Sequence, residues 1–422
     1  MKQVQIPFGN KTITIEAPAD NLSWVASPRN LPGVPEPERE VEKALRNPIG
    51  LPTLDELVKK KGKRVVLLVD DMTRSTPQKV ILPVLVNELN RVGVKDEEIT
   101  ALICLGTHRL MTTEEIINRY GEEMTTRIRF INHDYKDIEN MVEVKVSDGS
   151  IPIMVNKIYY ESDISIAIGN IIPHMYAGFA GGAKMVQPGV CGMVTTAETH
   201  YLAAENVHQI TGNAENSVRQ QIEYIARETG LTMILNTVLN ADHEIVRVVA
   251  GDPVLAHREG VKTAEQIYCF EIAQPCDLVI ASSYPADLDF WQSIKALNNC
   301  CMAVKPGGTL ILAASDPEGI APDHPDLVKL GTCNAQEAKE AYRRGEIKDK
   351  VALATYLAMN LNRERARIVL ISDGINKEEA SRIGLEWSES LSEAVEDECK
   401  KLTGDARIGI VTHGADLYFK IK

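Results

Sequence analysis

Apolar runs and amphipathic stretches alternate along the chain. RVVLLVDD (64–71) is a short apolar run closed by two acids, and QKVILPVLVNELNRVG (78–93) repeats its apolar positions at helical spacing before a glycine. EITALICLGTH (98–108) reads again as a buried strand, and TTEEIINRYG (112–121) as a capped helix. Further on, CDLVIASSYP, GGTLILAAS and ARIVLISDG are three more apolar strands, with helical segments such as NAQEAKEAYRRGE between them. This alternation predicts an α/β fold with mainly parallel sheets, because parallel neighbours need a crossover helix. The opening MKQVQIPFGNKTITIEAP alternates as an amphipathic hairpin.

A break falls near 265–276, where the helical stretch VLAHREGVKTAEQIYCF ends and a new strand–helix series opens at Cys276. Two α/β domains are expected, 1–270 and 271–422, with the active site in the cleft between them. The final ARIGIVTHGADLYF either closes the second domain or returns to the first.

Composition narrows the classes. The chain has 422 residues and a net charge of −13. That balance argues against nucleic-acid binding, which needs a basic face. It leaves small anions open, since a few local cations outweigh a distant acidic surface. No apolar run has membrane-spanning length, and the first residues lack a signal-peptide core, so a cytoplasmic protein without membrane contact is expected. The eight cysteines are scattered without a CxxC pair, which points to neither a zinc site nor a disulfide framework.

Functional groups of α/β sheets gather just past the carboxyl ends of strands. Three polar clusters sit there. In DDMTRSTP, Asp71 and Arg74 leave the strand together with Thr73, Ser75 and Thr76, a turn suited to a phosphate or carboxylate; a helix cap with a surface ion pair is the plainer reading. In LGTHRLMT, Gly106 permits a tight exit and His108 follows, a residue able to move protons at neutral pH or simply to support a loop.

The third cluster is GNIIPHMYAGFAGGAKMVQPGVCG (169–192). Gly178, Gly181 and Gly182 remove side chains just before Lys184, so a planar or phosphorylated group could lie against the main chain. It is not a P-loop: Ala183 precedes Lys184 and Met185 follows, with no hydroxyl for magnesium. A buried lysine there would instead be a nucleophilic amine and a covalent attachment point. A glycine turn with a lysine at a helix start is the alternative. His200 and His208 are eight apart on a helical stretch, with His208 read as structural; His133, His243, His257, His324 and His413 have no company that argues for chemistry. LDFWQSIKALNNC puts Trp291, Gln292 and Lys295 on the first turns of a helix, with the last two on one face and suited to a carboxylate.

The order D-x-T-R, G-T-H-R, P-H-x-x-x-G-F-x-G-G-x-K, a following histidine, then W-Q-x-x-K resembles the nickel-dependent lactate racemase family over roughly 5–400. The resemblance implies a nickel-pincer nucleotide, Ni(II)-pyridinium-3,5-bisthiocarboxylic acid mononucleotide, attached covalently through Lys184 and with nickel held by His200. It implies His108 and His174 as the acid/base pair, Asp71, Met72, Thr73 and Arg74 around the cofactor, and Gln292 and Lys295 on the substrate carboxylate. The implied activity is racemisation or epimerisation of a small 2-hydroxy acid by reversible hydride transfer, after maturation by separate cofactor-building enzymes, with a homo-oligomer left open. Departures are Ala180 where the family often has serine, Asn170 for a frequent histidine, and Val351 (in Asp349-Lys350-Val351) where lactate racemases carry a pocket aromatic. Two rivals stand beside this reading: a Schiff base at Lys184 with a pyridoxal-type cofactor, and a non-catalytic cofactor- or nucleotide-binding relative.

Overall fold

The computed structural model describes residues 1–145 and 151–422. The first six-stranded sheet runs, from edge to edge, Ile245–Gly251, Met233–Leu239, Ile164–Asn170, Val65–Asp70, Ile99–Cys104 and Arg129–Asn132. All neighbours are parallel except the Ile245–Gly251 edge. The inner strands Met233–Leu239, Ile164–Asn170 and Val65–Asp70 are buried on both faces, as parallel strands under helices must be. Val65, Leu67 and Val69 join Ile81 and Leu85 in one core, while Val66 and Leu68 join Met185 and Val186 in the other.

The second sheet runs Glu386–Trp387, Arg367–Ile371, Val304–Ala313, Cys276–Ser282, Ile408–Val411 and Leu22–Ala26, all parallel. Its edge strand comes from the first residues of the chain. The hairpin Lys2–Phe8/Lys11–Ala17 follows it there, packing Ile6, Phe8 and Ile15 onto Leu278, Ile280 and Ile410. The expected 1–270 unit therefore loses its first 26 residues to the other sheet. Hydrophobic alternation shows that a strand exists but not which distant edge it joins. The final stretch closes the second sheet with Ile408–Val411, then pairs Tyr418–Ile421 with Cys269–Ile272 at the joint between the units. No helix among the described residues is long and apolar enough to cross a membrane.

Both sheets have a point where strand order reverses. In the first it lies between Val65–Asp70 and Ile164–Asn170; in the second, between Cys276–Ser282 and Ile408–Val411. Loops diverge from such points and leave a crevice at the strands' carboxyl ends. Here the two crevices share one cavity: Asp71, residues 73–75 and residues 172–176 line it from the first unit, and Pro285, Ala286, Ala415 and Asp416 from the second.

Candidate active site

The shared cavity holds about 180 Å³. Around it lie Asp71, Thr73, Arg74, His108, His174, Lys184, His200, Gln292 and Lys295, which are scattered over more than two hundred positions of sequence. Met72 is the exception among the expected residues: it is 43% exposed and lines an adjoining cavity instead.

His108 follows the left-handed turn at Gly106. Its Nδ1 lies 2.6 Å from Asp71 Oδ2, and Asp71 Oδ1 accepts from the Thr73 amide (2.8 Å) and hydroxyl (2.6 Å). Burial pushes the Asp71 carboxyl up, but His108, Arg74 and Thr73 outweigh it and hold it well below the usual carboxylate range. An ionised Asp71 fixes the hydrogen of His108 on Nδ1 and leaves Nε2 as a bare lone pair. The next contact agrees. Lys295 Nζ donates to Gln292 Oε1, which turns the Gln292 amide so that Nε2 donates to His108 Nε2 at 3.4 Å.

His174 has the opposite polarity. It sits in the two-residue strand Pro173–His174, paired with Gly178–Phe179. The Tyr176 amide donates to its Nδ1 at 3.1 Å, so its own hydrogen is on Nε2. Burial, then the charges of Lys184, Arg74 and Lys295, drive its pKa well below that of a free imidazole. His200, on the helix Met193–Ala204, donates Nδ1–H to the Thr196 carbonyl at 2.9 Å, leaving Nε2 bare; burial lowers it to about 4. A neutral imidazole with one nitrogen so anchored is the form that ligates metals.

Cations crowd this space. Lys184 is buried beside Arg74, Lys295 and Arg219, and burial followed by these charges lowers its amine well below a free lysine. Among the described residues no hydrogen bond or ion pair reaches Lys184 Nζ or the Arg74 guanidinium. Lys295 is lowered to about 7, by burial first and Arg74 second.

The glycines before Lys184 serve the fold rather than the approach of a ligand. Gly178 has φ +76°, and a Cβ there would strike the Asn213 carbonyl; Gly182 has φ +60°, and a Cβ would lie 2.8 Å from His257 Cδ2. The loop is folded onto the protein itself. Arg219, fully buried, donates to the carbonyls of Ala177 (3.2 Å), Phe179 and Gly181 (3.4 Å). His257 donates to Ala180 O at 2.9 Å, and Asn236 accepts from the Gly182 amide at 2.7 Å. His257 thus gains a structural role. Arg219→Met removes the guanidinium donor from the Ala177 and Phe179 carbonyls, each costing about 1–3 kcal/mol, while Gly181 O keeps the Lys184 amide at 3.2 Å. The expected result is a marked fall in thermal unfolding temperature, and an unchanged temperature would show that the loop holds without the arginine.

Three further residues stand outside the cavity wall. Arg109 forms a two-point ion pair with Glu115 (3.0 and 2.7 Å) and pins the loop to the helix Thr113–Tyr120. His208 bonds Asn362 at 2.7 Å and is not part of the cavity wall. Val351 is fully buried and does not line the cavity; Thr355, one turn further along the same helix, does, and bonds Tyr176 Oη at 3.3 Å.

Three features went unseen in the sequence. His324 pairs with Asp349 at 2.6 Å. Thr107 meets His324 at 3.3 Å. Asp416 lines the cavity with its carboxyl pushed up to about 7 by burial, against the pull of Lys295. Asp416 had a signal, since it lies just past the carboxyl end of Ile408–Val411.

Two α/β units meeting over polarised histidines and buried amines form the active site of an enzyme. The lactate racemase N-terminal domain model matches residues 8–212 and the lactate racemase C-terminal domain model residues 272–418. The lactate racemase of Thermoanaerobacterium thermosaccharolyticum is 32% identical over 327 residues, 76% of each chain. That of Lactiplantibacillus plantarum is 27% identical over 430 residues, spanning 100% of both. The apoprotein structure of lactate racemase from T. thermosaccharolyticum superposes with a TM-score of 0.87 at 26% identity, covering 99% of this chain and 100% of that one. A Thermotoga maritima protein shares the fold, with a TM-score of 0.72 at 19% identity over 92% of this chain and 99% of that one. The chain belongs to the lactate racemase family, a family of isomerases.

Proposed function

We propose that this protein interconverts the enantiomers or epimers of lactate or a related 2-hydroxy acid with a nickel-pincer nucleotide tethered through Lys184. The observation that carries the reading is Lys184 itself: a buried amine with no ion pair among the described residues, in one cavity with two oppositely polarised histidines and a third whose Nε2 is bare.

The residues fit such a group. No cluster of three or more His, Cys, Asp or Glu side chains among the described residues could hold a metal by itself, so a nickel at His200 needs donors from the cofactor. The Arg74 guanidinium, which makes no hydrogen bond or ion pair among the described residues, suits a phosphate. Asn170 Oδ1 is buried on the cavity wall without a donor. Thr73 is engaged with Asp71 and supports the turn before Arg74, while Met72 faces the neighbouring cavity.

When bound, the cofactor supplies a reversible hydride acceptor for the substrate α-carbon. The protein's own work is binding and proton transfer. Lys295 and Gln292 hold the substrate carboxylate. His108 Nε2 takes the hydroxyl proton, and Asp71 stabilises the resulting imidazolium. His174 donates a hydrogen bond from Nε2 in its resting tautomer. To accept a proton it must shift its hydrogen to Nδ1 and turn from the Tyr176 amide. The two directions of interconversion therefore make unequal demands on the two rings.

Co-expression with the cofactor-building enzymes tests the reading. Peptide mapping should find the adduct on Lys184 with about one nickel per chain, and chiral chromatography should show interconversion of a 2-hydroxy acid. An unmodified lysine in properly supplied cells would overturn the cofactor assignment; loaded protein inert toward every 2-hydroxy acid would favour a non-catalytic relative.

A pH dependence follows from Lys295. Its lowered pKa, about 7, means that the ammonium is present below that pH and lost above it. KM for an anionic substrate should rise about tenfold per pH unit above neutrality, and Lys295→Ala should flatten that slope. A flat KM in the unaltered protein would remove Lys295 from the carboxylate site.

A further inference from the structure

His324 joins both units at the edge of the cavity. It is 2% exposed. Its Nδ1 lies 2.6 Å from Asp349 Oδ2, and its Nε2 3.3 Å from the Thr107 hydroxyl. Its ring lies flat on Trp291, with centroids 4.0 Å apart and planes inclined by 15°. Asp349 and Trp291 are themselves held by further hydrogen bonds. Asp349 Oδ1 accepts from the Val351 and Ala352 amides at the start of the helix Lys350–Arg365, and Asp326 anchors the Asp349 amide at 3.0 Å. Trp291 donates its own amide to Ile320 O at 2.8 Å. Thr107 belongs to the first unit and immediately precedes His108, while Trp291 immediately precedes Gln292 in the second. None of the chemistry assigned above uses this cluster.

We propose that His324 is a positioning residue that locks the His108 loop of one unit onto the Gln292–Lys295 helix of the other, through Thr107, Asp349 and Trp291. The proposal rests on the active-site reading above. His108 and Gln292 meet across the unit boundary at only 3.4 Å, and a single loop exit at Gly106 carries His108. Without a tie on each side, the base and the carboxylate-binding face drift apart. Misplacement of a catalytic group by about 1 Å costs on the order of a hundredfold in rate. His324 supplies that tie one residue away from each member.

The test uses the full chain, in two forms. In protein without cofactor, hydrogen–deuterium exchange should speed up in His324→Ala at 105–109 and 290–295, with the strand Val65–Asp70 unchanged. Thr107→Val, which cuts only the contact between units, should speed up 105–109. In cofactor-loaded protein, each variant should lower kcat/KM by about ten- to a hundredfold, and the double variant should lose no more than the worse single one, since the two residues act as a unit. Thr107→Ser should restore the rate. Unchanged exchange in both segments of His324→Ala would overturn the positioning role, as would strictly multiplicative losses in the double variant. Faster exchange in a loaded protein inert toward every 2-hydroxy acid would uphold the lock and sink the racemase reading instead.

Discussion

Lys184→Met gives a folded protein that acquires neither adduct nor nickel and interconverts nothing. Methionine keeps the apolar stem and removes the amine. In the unaltered chain burial and three neighbouring cations depress that amine. A lysine whose folded pKa lies below its unfolded one weakens the fold at every pH below the unfolded value, because protons bind the unfolded state more tightly. The variant should therefore unfold at the same temperature or higher. That separates loss of a tether from loss of structure. Intact mass of protein made alongside the cofactor-building enzymes reads the result directly. An adduct still present on the variant would mean that another nucleophile holds the cofactor, and the assignment of Lys184 would fall.

His108→Ala retains the adduct and loses interconversion by about 10²–10⁴-fold, the range typical of a removed general base. Asp71→Asn should fall by a similar factor although it changes one atom. Its carboxylate accepts from His108 Nδ1. An amide can offer a hydrogen there instead, which stabilises the tautomer with Nε2 protonated and silences the base; an analogous exchange in serine proteases costs about 10⁴-fold. His174→Ala should likewise abolish interconversion with the adduct in place. Full activity in both histidine variants would end the acid/base assignment, whereas a missing adduct would show that these rings serve cofactor loading.

Much of this architecture was legible because its strands are short, apolar and bounded. RVVLLVDD resolves to Val65–Asp70, and the helix expected over 112–121 spans Thr113–Tyr120 with a Thr112–Glu115 capping box. The rule that chemistry collects past strand ends found the turn at Asp71 and the loop at His108, which the fold brings to one cavity with His174, Lys184 and Lys295. What stayed hidden was pairing at long range. Leu22–Ala26 has no local mark that sends it to Ile408–Val411. The partnership of His324 with Thr107 spans 217 positions, and each residue alone looks like ordinary loop. The glycines of 178–182 misled for a related reason. Glycine marks a close approach, but the sequence does not say of what; here it is Asn213 and His257.

The strand Leu22–Ala26 also bears on how the molecule is made. Among the described residues its only ladder partner is Ile408–Val411, which is synthesised long after it. The apolar face of the opening hairpin, with Ile6, Phe8 and Ile15, has to wait for Leu278, Ile280 and Ile410. The first unit can condense during synthesis, while the second sheet gains its edge only once Ile408–Val411 has been made. Until then the nascent chain carries an uncovered sticky segment, the situation in which holding chaperones matter. Removing either Leu22–Ala26 or Ile408–Val411 strips the same side of the same sheet, so the second unit cannot be excised as one continuous fragment.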